Sequence, residues 1–362
     1  MDVAARLDGI RRRLLDDRAD AAVVSVNANL RYLTAFDGVI DPGINAVCVI
    51  TADEARFHTD SRYADAAIAA AAGGPWEIVR HKENLYIELC DGLRAEGVST
   101  LLLEAGVPYG RFKFVSEQFD GAVRAVDQLV EGMRQIKEAE EVGRIAAAAA
   151  LADAAFEHIL RYLRPGVTER DVALELELHM RRNGSEGMPF DPIVAGGPNS
   201  ARPHAIPSER PLEAGDIVIL DFGAKIGGYC SDMTRTVVIG AASAQQRAMH
   251  AAVLEANEAG LAAVRAGRPC VEVDLAAREV LQRHGLGDHF THGLGHGVGI
   301  DIHEMPTVGP RSTQSLRHDS VITIEPGVYV SGVAGVRIED LVLVKESGHE
   351  LLSHASKELI EL

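Results

Sequence analysis

The sequence predicts an α+β fold in two parts, and three observations predict it. Short helical and extended segments alternate through the N-terminal third. A charged stretch, Glu131–Glu141, then leads into a long Ala-rich helical run, Glu141–Leu163. Beyond it lie two segments with the period-2 pattern and tight turns of strand hairpins, Asp216–Ile239 and Val321–Val344.

In order along the chain, a helix runs to Asp17, and Ala21–Val26 is a strand. Ala46–Thr51 and Ala55–Thr59 are strands, Tyr63–Ala72 an Ala-rich helix, Leu85–Ala95 a helix and Thr100–Glu104 a strand. That alternation suits a small α/β domain. The polar, charged Glu131–Glu141 segment sets the boundary, giving domains 1–132 and 133–362.

A weak internal repeat organises the second domain. Laid without gaps on Val264–Gly285, Leu163–Gly184 pairs Arg164 with Arg265, Gly166 with Gly267, Val172 with Val273, Leu174 with Leu275 and Arg182 with Arg283. Two amphipathic helices can match this well by chance. The order of elements favours duplication, since each unit follows a long helix and precedes a hairpin carrying two carboxylates. The implied architecture is a pseudo-twofold α+β domain, its two antiparallel hairpins curved over one site with helices behind.

The composition is that of a globular protein: 362 residues, 47% hydrophobic and 25% charged, with a net charge of -17. This acidity argues against nucleic acid or an anionic membrane as partner, and the Arg11–Arg13 triplet reads as a solvated helix face. Four cysteines lie far apart with no CxxC pair, which suits a reducing compartment. No signal-peptide core or bilayer-length apolar run is present, so a cytoplasmic location is expected.

The chemistry concentrates in the hairpins. Ile217–Leu220 delivers Asp221, a Gly223–Gly228 turn reverses the chain, and Asp232 opens the return strand. In the second hairpin Glu325 and Glu339 each fall in the middle of an apolar strand. Either Asp alone suits a solvent-facing strand end. Four acids interrupting buried runs, without as many Lys or Arg beside them, need a cation.

His296 lies in a Gly-rich loop, Thr291–Glu304, with His292 and His303. His204 sits in the loop-like Asn199–Ile206 stretch, where a free imidazole can move protons. Mostly oxygen ligands with one imidazole favour Mn2+, with Co2+, Zn2+ or Fe2+ as replacements. Five ligands exceed what one ion usually takes from protein, so two ions sharing carboxylates are expected.

The runs DFGAKIGGYCSDMTRT, HGLGHGVGIDIHE with Pro306 following, TIEPGVY and GVRIED strongly resemble the metal-dependent pita-bread peptidases, in the Xaa-Pro dipeptidase (prolidase) and aminopeptidase P branch. In the N-terminal domain, YLTAF (from Tyr32) and TDSRY (to Tyr63) resemble the same branch less specifically. The resemblance implies a pita-bread domain with a pseudo-twofold curved antiparallel sheet, behind a smaller creatinase/prolidase-like α/β domain.

It further implies that Asp221 chelates one metal, that Asp232 and Glu339 bridge two divalent ions, and that His296 and Glu325 complete the second. His204 and His303 become imidazoles that bond substrate and tetrahedral intermediate, with Glu325 taking a proton from the attacking water. His292 and Arg337 become supporting pocket groups, although an ion pair to Asp340 or to a ligand carboxylate serves Arg337 equally well. The implied reaction is hydrolysis of an Xaa-Pro bond by a hydroxide held between the two metals.

The implied partners are a proline-containing di- or oligopeptide and a second copy of the chain. Thr307 stands where some dipeptidases of the branch carry Arg, which keeps aminopeptidase P action on longer peptides open. A metal-free amidinohydrolase of creatinase type and a non-catalytic binding module fit the five ligands less well.

Overall fold

A computed structural model describes residues 1–41 and 43–362 and resolves them into two compact units, Met1–Arg134 and Gln135–Leu362. No helix among the described residues is long and apolar enough to cross a membrane.

In the first unit the apolar runs pair into a mixed sheet, six-stranded among the described residues. Its strand order is Glu77–Arg80, Ala55–Thr59, Ala46–Thr51, Ala21–Val24, Thr100–Glu104, Ala122–Val126. Val23, Val47, Leu101 and Leu103 pack on Leu89 and Leu93 of the helix Leu85–Ala95, which accounts for the apolar residues on that face of the sheet. The expected strand Ala21–Val26 stops at Val24. The amides of Ser25 and Val26 turn instead to the buried carboxylate of Glu104.

The second unit displays the repeat. The helices Ala139–Ile159 and Glu169–Arg182 recur as Ala244–Ala263 and Cys270–Arg283, and the second helix of each pair occupies the register read from the sequence. Thr168 bridges Pro211, and Pro269 bridges Ser315 in the equivalent place. Gly166 and Gly267 both take positive φ, 91° and 79°, a conformation that favours glycine, and their amides bond the equivalent carbonyls of Leu212 and Leu316.

Each half has its own core. Val172, Leu176 and Met180 pack on Val218 and Leu220, while Val273, Ala277 and Leu281 pack on Ile322, Ile324 and Val342.

The strands of the halves differ. Ile217–Phe222 and Met233–Val238 pair continuously, from Met233 opposite Phe222 to Val238 opposite Ile217. The second hairpin is instead broken in two: Val321–Ile324 pairs with Asp340–Lys345, and Gly327–Val330 pairs with Ala334–Arg337. Glu325 and Glu339 therefore lie between ladders and not within a strand as expected. Pro326 has no amide to donate at this point. The freed groups bond elsewhere: Glu325 N to Leu294 O at 2.8 Å, and Glu339 N to Thr234 O at 3.1 Å.

Candidate active site

The first half presents its acids by strand geometry. Asp221 lies directly opposite Thr234, and Asp232 is two residues before Thr234, so all three share a face. His296 is on the short strand Gly295–Gly297, between Glu304–Val308 and Val321–Ile324. Only glycine fits beside it, because a Cβ at position 295 would lie 2.0 Å from Thr323 O.

The five residues converge. Ligand atoms of Asp232, His296 and Glu339 lie within 4.8 Å of one another. His296 Nε2 is 3.5 Å from Asp232 Oδ2 and 3.4 Å from Glu325 Oε1. Its Nδ1 lies 3.0 Å from Gly297 O, which assigns the proton to Nδ1 and leaves a lone pair on Nε2, facing carboxylate oxygens. Burial pulls this imidazole down to about 4, so protonation does not relieve the arrangement near neutral pH.

Glu325 is pushed up to about 8 by burial, with Arg337 opposing and Asp221 adding to the rise. Asp232 and Glu339 are raised well above the carboxylate range, first by burial and then by neighbouring carboxylates. Buried oxygens Asp221 Oδ1 and Asp232 Oδ1 accept no hydrogen bond from the described residues. Orphaned oxygens, a lone pair aimed among them and a charge surplus fit divalent cations of the kind that prefer oxygen with imidazole.

Arg337, only 3% exposed, offsets part of that charge through its ion pair with Asp221. The same guanidinium donates to Tyr329 Oη at 2.6 Å, Thr234 Oγ1 at 3.1 Å and Pro203 O at 3.2 Å. Of the two ion pairs expected for Arg337, the one formed is with Asp221 and not with Asp340. Asp340 pairs with Arg235 at 2.9 Å and Lys357 at 2.8 Å.

Asp221, Asp232, His296, Glu325, Glu339 and Arg337 line a cavity of about 550 Å³, together with Phe190, Pro192, Ile193, Ile302 and Thr307. His204 and His303 are on its wall and exposed, the His303 ring edge-on to His296 at 4.4 Å. His292 also lines the cavity, but both its nitrogens are engaged: Nδ1 with Gly293 O at 2.8 Å and Nε2 with Tyr329 Oη at 3.1 Å. In this arrangement it supports Tyr329 and its own loop.

Sequence reasoning missed several partners of the acids. Thr234 Oγ1 donates to Glu339 Oε2 at 2.7 Å, Thr323 Oγ1 donates to Glu325 Oε1 at 3.3 Å, and Tyr329 joins Arg337 to His292. Period-2 spacing from Asp232 could have flagged Thr234. Tyr329 carries no local signal, since its bond to Arg337 depends on the hairpin pairing and His292 lies 37 residues away.

Residues 143–346 match metallopeptidase family M24, and residues 6–136 match the creatinase/prolidase N-terminal domain. The chain belongs to metallopeptidase family M24. Its M24 unit is the pita-bread fold of the prolidase structures it resembles. An Xaa-Pro dipeptidase from Bacillus anthracis superposes with a TM-score of 0.95 at 36% identity over 100% of both chains. The Xaa-Pro dipeptidase of Pyrococcus furiosus is 38% identical over 98% of this chain and 99% of that protein. An X-Pro aminopeptidase from Thermotoga maritima MSB8 superposes with a TM-score of 0.86 at 33% identity, over 95% of this chain and 98% of the other. As an M24 metallopeptidase the chain is an enzyme that uses divalent metal.

Proposed function

We propose that this M24 enzyme hydrolyses the peptide bond of Xaa-Pro dipeptides, using two divalent ions held by Asp221, Asp232, His296, Glu325 and Glu339. The observation that carries the reading is the set of buried carboxylate oxygens left without donors around the His296 lone pair. Relatives named Xaa-Pro dipeptidase that align along nearly the whole chain supply the substrate class. Manganese suits the donor set best, with cobalt, zinc or iron able to replace it.

Bound ions supply Lewis acidity, which lowers the proton affinity of water and polarises a scissile carbonyl. Glu325 accepts the proton from the attacking water. His303 and His204, exposed and facing the cavity, donate hydrogen bonds to the developing oxyanion and beside the leaving proline nitrogen. Arg337 holds Asp221 in orientation. An Xaa-Pro amide nitrogen bears no hydrogen and asks for no acceptor, so the wall of Phe190, Pro192, Ile193 and Ile302 can receive the pyrrolidine ring.

Aminopeptidase P action on longer peptides is the second reading. It is favoured by the lack of any free Lys or Arg on the cavity wall among the described residues: Arg337 is fully engaged, and Thr307 is neutral. Turnover of Ala-Pro against Ala-Pro-Ala, with added Mn2+, separates the two. The dipeptide is expected to be the better substrate, and clear preference for the tripeptide would overturn the first reading. Activity unaffected by chelation would instead revive an amidinohydrolase. A cytoplasmic homodimer completes the proposal, with the mass in solution as its check.

A further inference from the structure

Glu169 has no exposed surface, stands at the first position of the helix Glu169–Arg182, and takes no part in the chemistry above. Its Oε1 accepts from the Gly196 amide at 2.8 Å and from Asn199 Nδ2 at 3.0 Å. Its Oε2 accepts from Asn199 Nδ2 at 3.1 Å, the Ser208 amide at 3.0 Å and the Ser208 hydroxyl at 2.6 Å. All these donors belong to one stretch of chain, some near its start and the rest at its end.

Between the fastened ends lie Pro203, whose carbonyl receives Arg337, and His204 on the cavity wall. One more attachment holds the middle: the Gly335 amide donates to Ser200 Oγ at 2.8 Å, and a Cβ at position 335 would come 2.0 Å from Ser200 O. The stretch therefore lies directly on the hairpin that bears Arg337.

An acid in the first turn of a helix gains only a modest interaction with the helix dipole, and an exposed side chain suffices for it. Complete burial with donors from the loop does something else: it removes conformational freedom from a segment that has little ladder of its own. We infer that Glu169 is a positioning residue, which ties both ends of the 196–208 segment and so fixes His204 over the carboxylate cage. The inference rests on the role proposed for His204.

Glu169→Gln keeps the shape but turns an acceptor oxygen into a donor facing donors. In hydrogen exchange on the metal-loaded protein, amides of residues 197–208 are expected to exchange roughly tenfold faster or more, with helix 270–283 unchanged. Unaltered protection of 197–208 would overturn the inference, and this arm needs no activity.

A double-mutant cycle supplies the second arm. Glu169→Gln should lower kcat by about tenfold or more in the parent, since small misplacements of a reacting group carry such losses. In a His204→Ala background it should cost less than about twofold, with metal affinity by titration unchanged in both. Additive losses would assign Glu169 a purely structural role and overturn the positioning one. So would a His204→Ala enzyme as fast as the parent, although Xaa-Pro hydrolysis itself would then stand. Parent protein that cleaves no Xaa-Pro peptide sinks the underlying function, while the exchange arm still decides what Glu169 holds. Should Glu169→Gln not fold, Ser208→Ala removes one donor and is expected to give the same pattern at smaller size.

Discussion

Glu104 in the N-terminal unit and Asp232 in the M24 unit are both shut away from solvent, at 0% and 5% exposure. Glu104 is surrounded by donors: the amides of Ser25 and Val26, Ser25 Oγ at 3.1 Å and Asn29 Nδ2 at 2.9 Å. Asp232 Oδ1 accepts from none of the described residues, and its neighbours include three further carboxylates. Burial raises both acids. Bonds from Asn29, Ser25 and Val26 then pull Glu104 back, whereas Glu339, Asp221 and Glu325 push Asp232 further up. Glu104 is satisfied within the chain, whereas Asp232 is left short of partners, which is what its proposed part in holding metal requires.

The largest effect should come from making Asp232 neutral. Asp232→Asn is expected to lower metal-dependent kcat/KM by about a hundredfold or more, since even outer partners of a metal cost about 10–100-fold when lost. Melted in chelator, the same variant should be no less stable than the parent, because the parent must either bury a charge there or take up a proton on folding, and the amide does neither. A lower metal-free melting temperature would break the contrast with Glu104.

The same substitution at Glu104 should have the opposite effect on stability. Glu104→Gln leaves buried donors unmatched, so chemical denaturation should register a loss of about 1–3 kcal/mol, with metal affinity unchanged. Full stability in that variant would mean the donors around Glu104 are replaceable.

A smaller signal lies in pH. Glu325 rises from 4.5 to about 8 in the folded, metal-free protein. Between those values the folded state binds more protons than the unfolded chain, so stability falls as pH rises through that window. Denaturation in chelator should therefore give a lower midpoint at about pH 8 than at about pH 5, while metal affinity increases over the same span because protons compete for the ligands. A metal-free protein that gains stability over that span would contradict the raised proton affinity. Least of all, Tyr329→Phe should cost kcat/KM about tenfold, the size of the two hydrogen bonds lost to Arg337 and His292, and an effect far beyond that would make its hydroxyl part of the chemistry.

Much of this was legible in the sequence because it rests on local pattern. Alternation exposed Asp221 and Asp232, the Gly-rich loop exposed His296, and the helix register carried the repeat onto Glu169–Arg182 and Cys270–Arg283. What escaped was long-range. Glu325 and Glu339 read as strand residues because their neighbours are apolar, and only pairing with Leu294 and Thr234 reveals the interruption. Glu104 and Glu169 gave no sign of burial, since a strand-end acid and a first-turn acid are ordinary at the surface; their donors lie up to 79 residues away. Strands Glu77–Arg80 and Ala122–Val126 escaped because edge positions in a sheet impose weak patterning.

The interruption in the second hairpin has a consequence for how the enzyme comes into being. Thr234 accepts the Glu339 amide through its carbonyl and donates its hydroxyl to the Glu339 carboxylate, across 105 residues of chain. A single threonine of one half thus grips both the backbone and the side chain of a residue in the other. Neither half displays the whole cage alone, and closing so long a loop belongs to the later stages of folding. A nascent chain with only its first half formed carries Asp221 and Asp232 without His296, Glu325 and Glu339, so the cluster proposed to hold metal assembles only once both halves are in place.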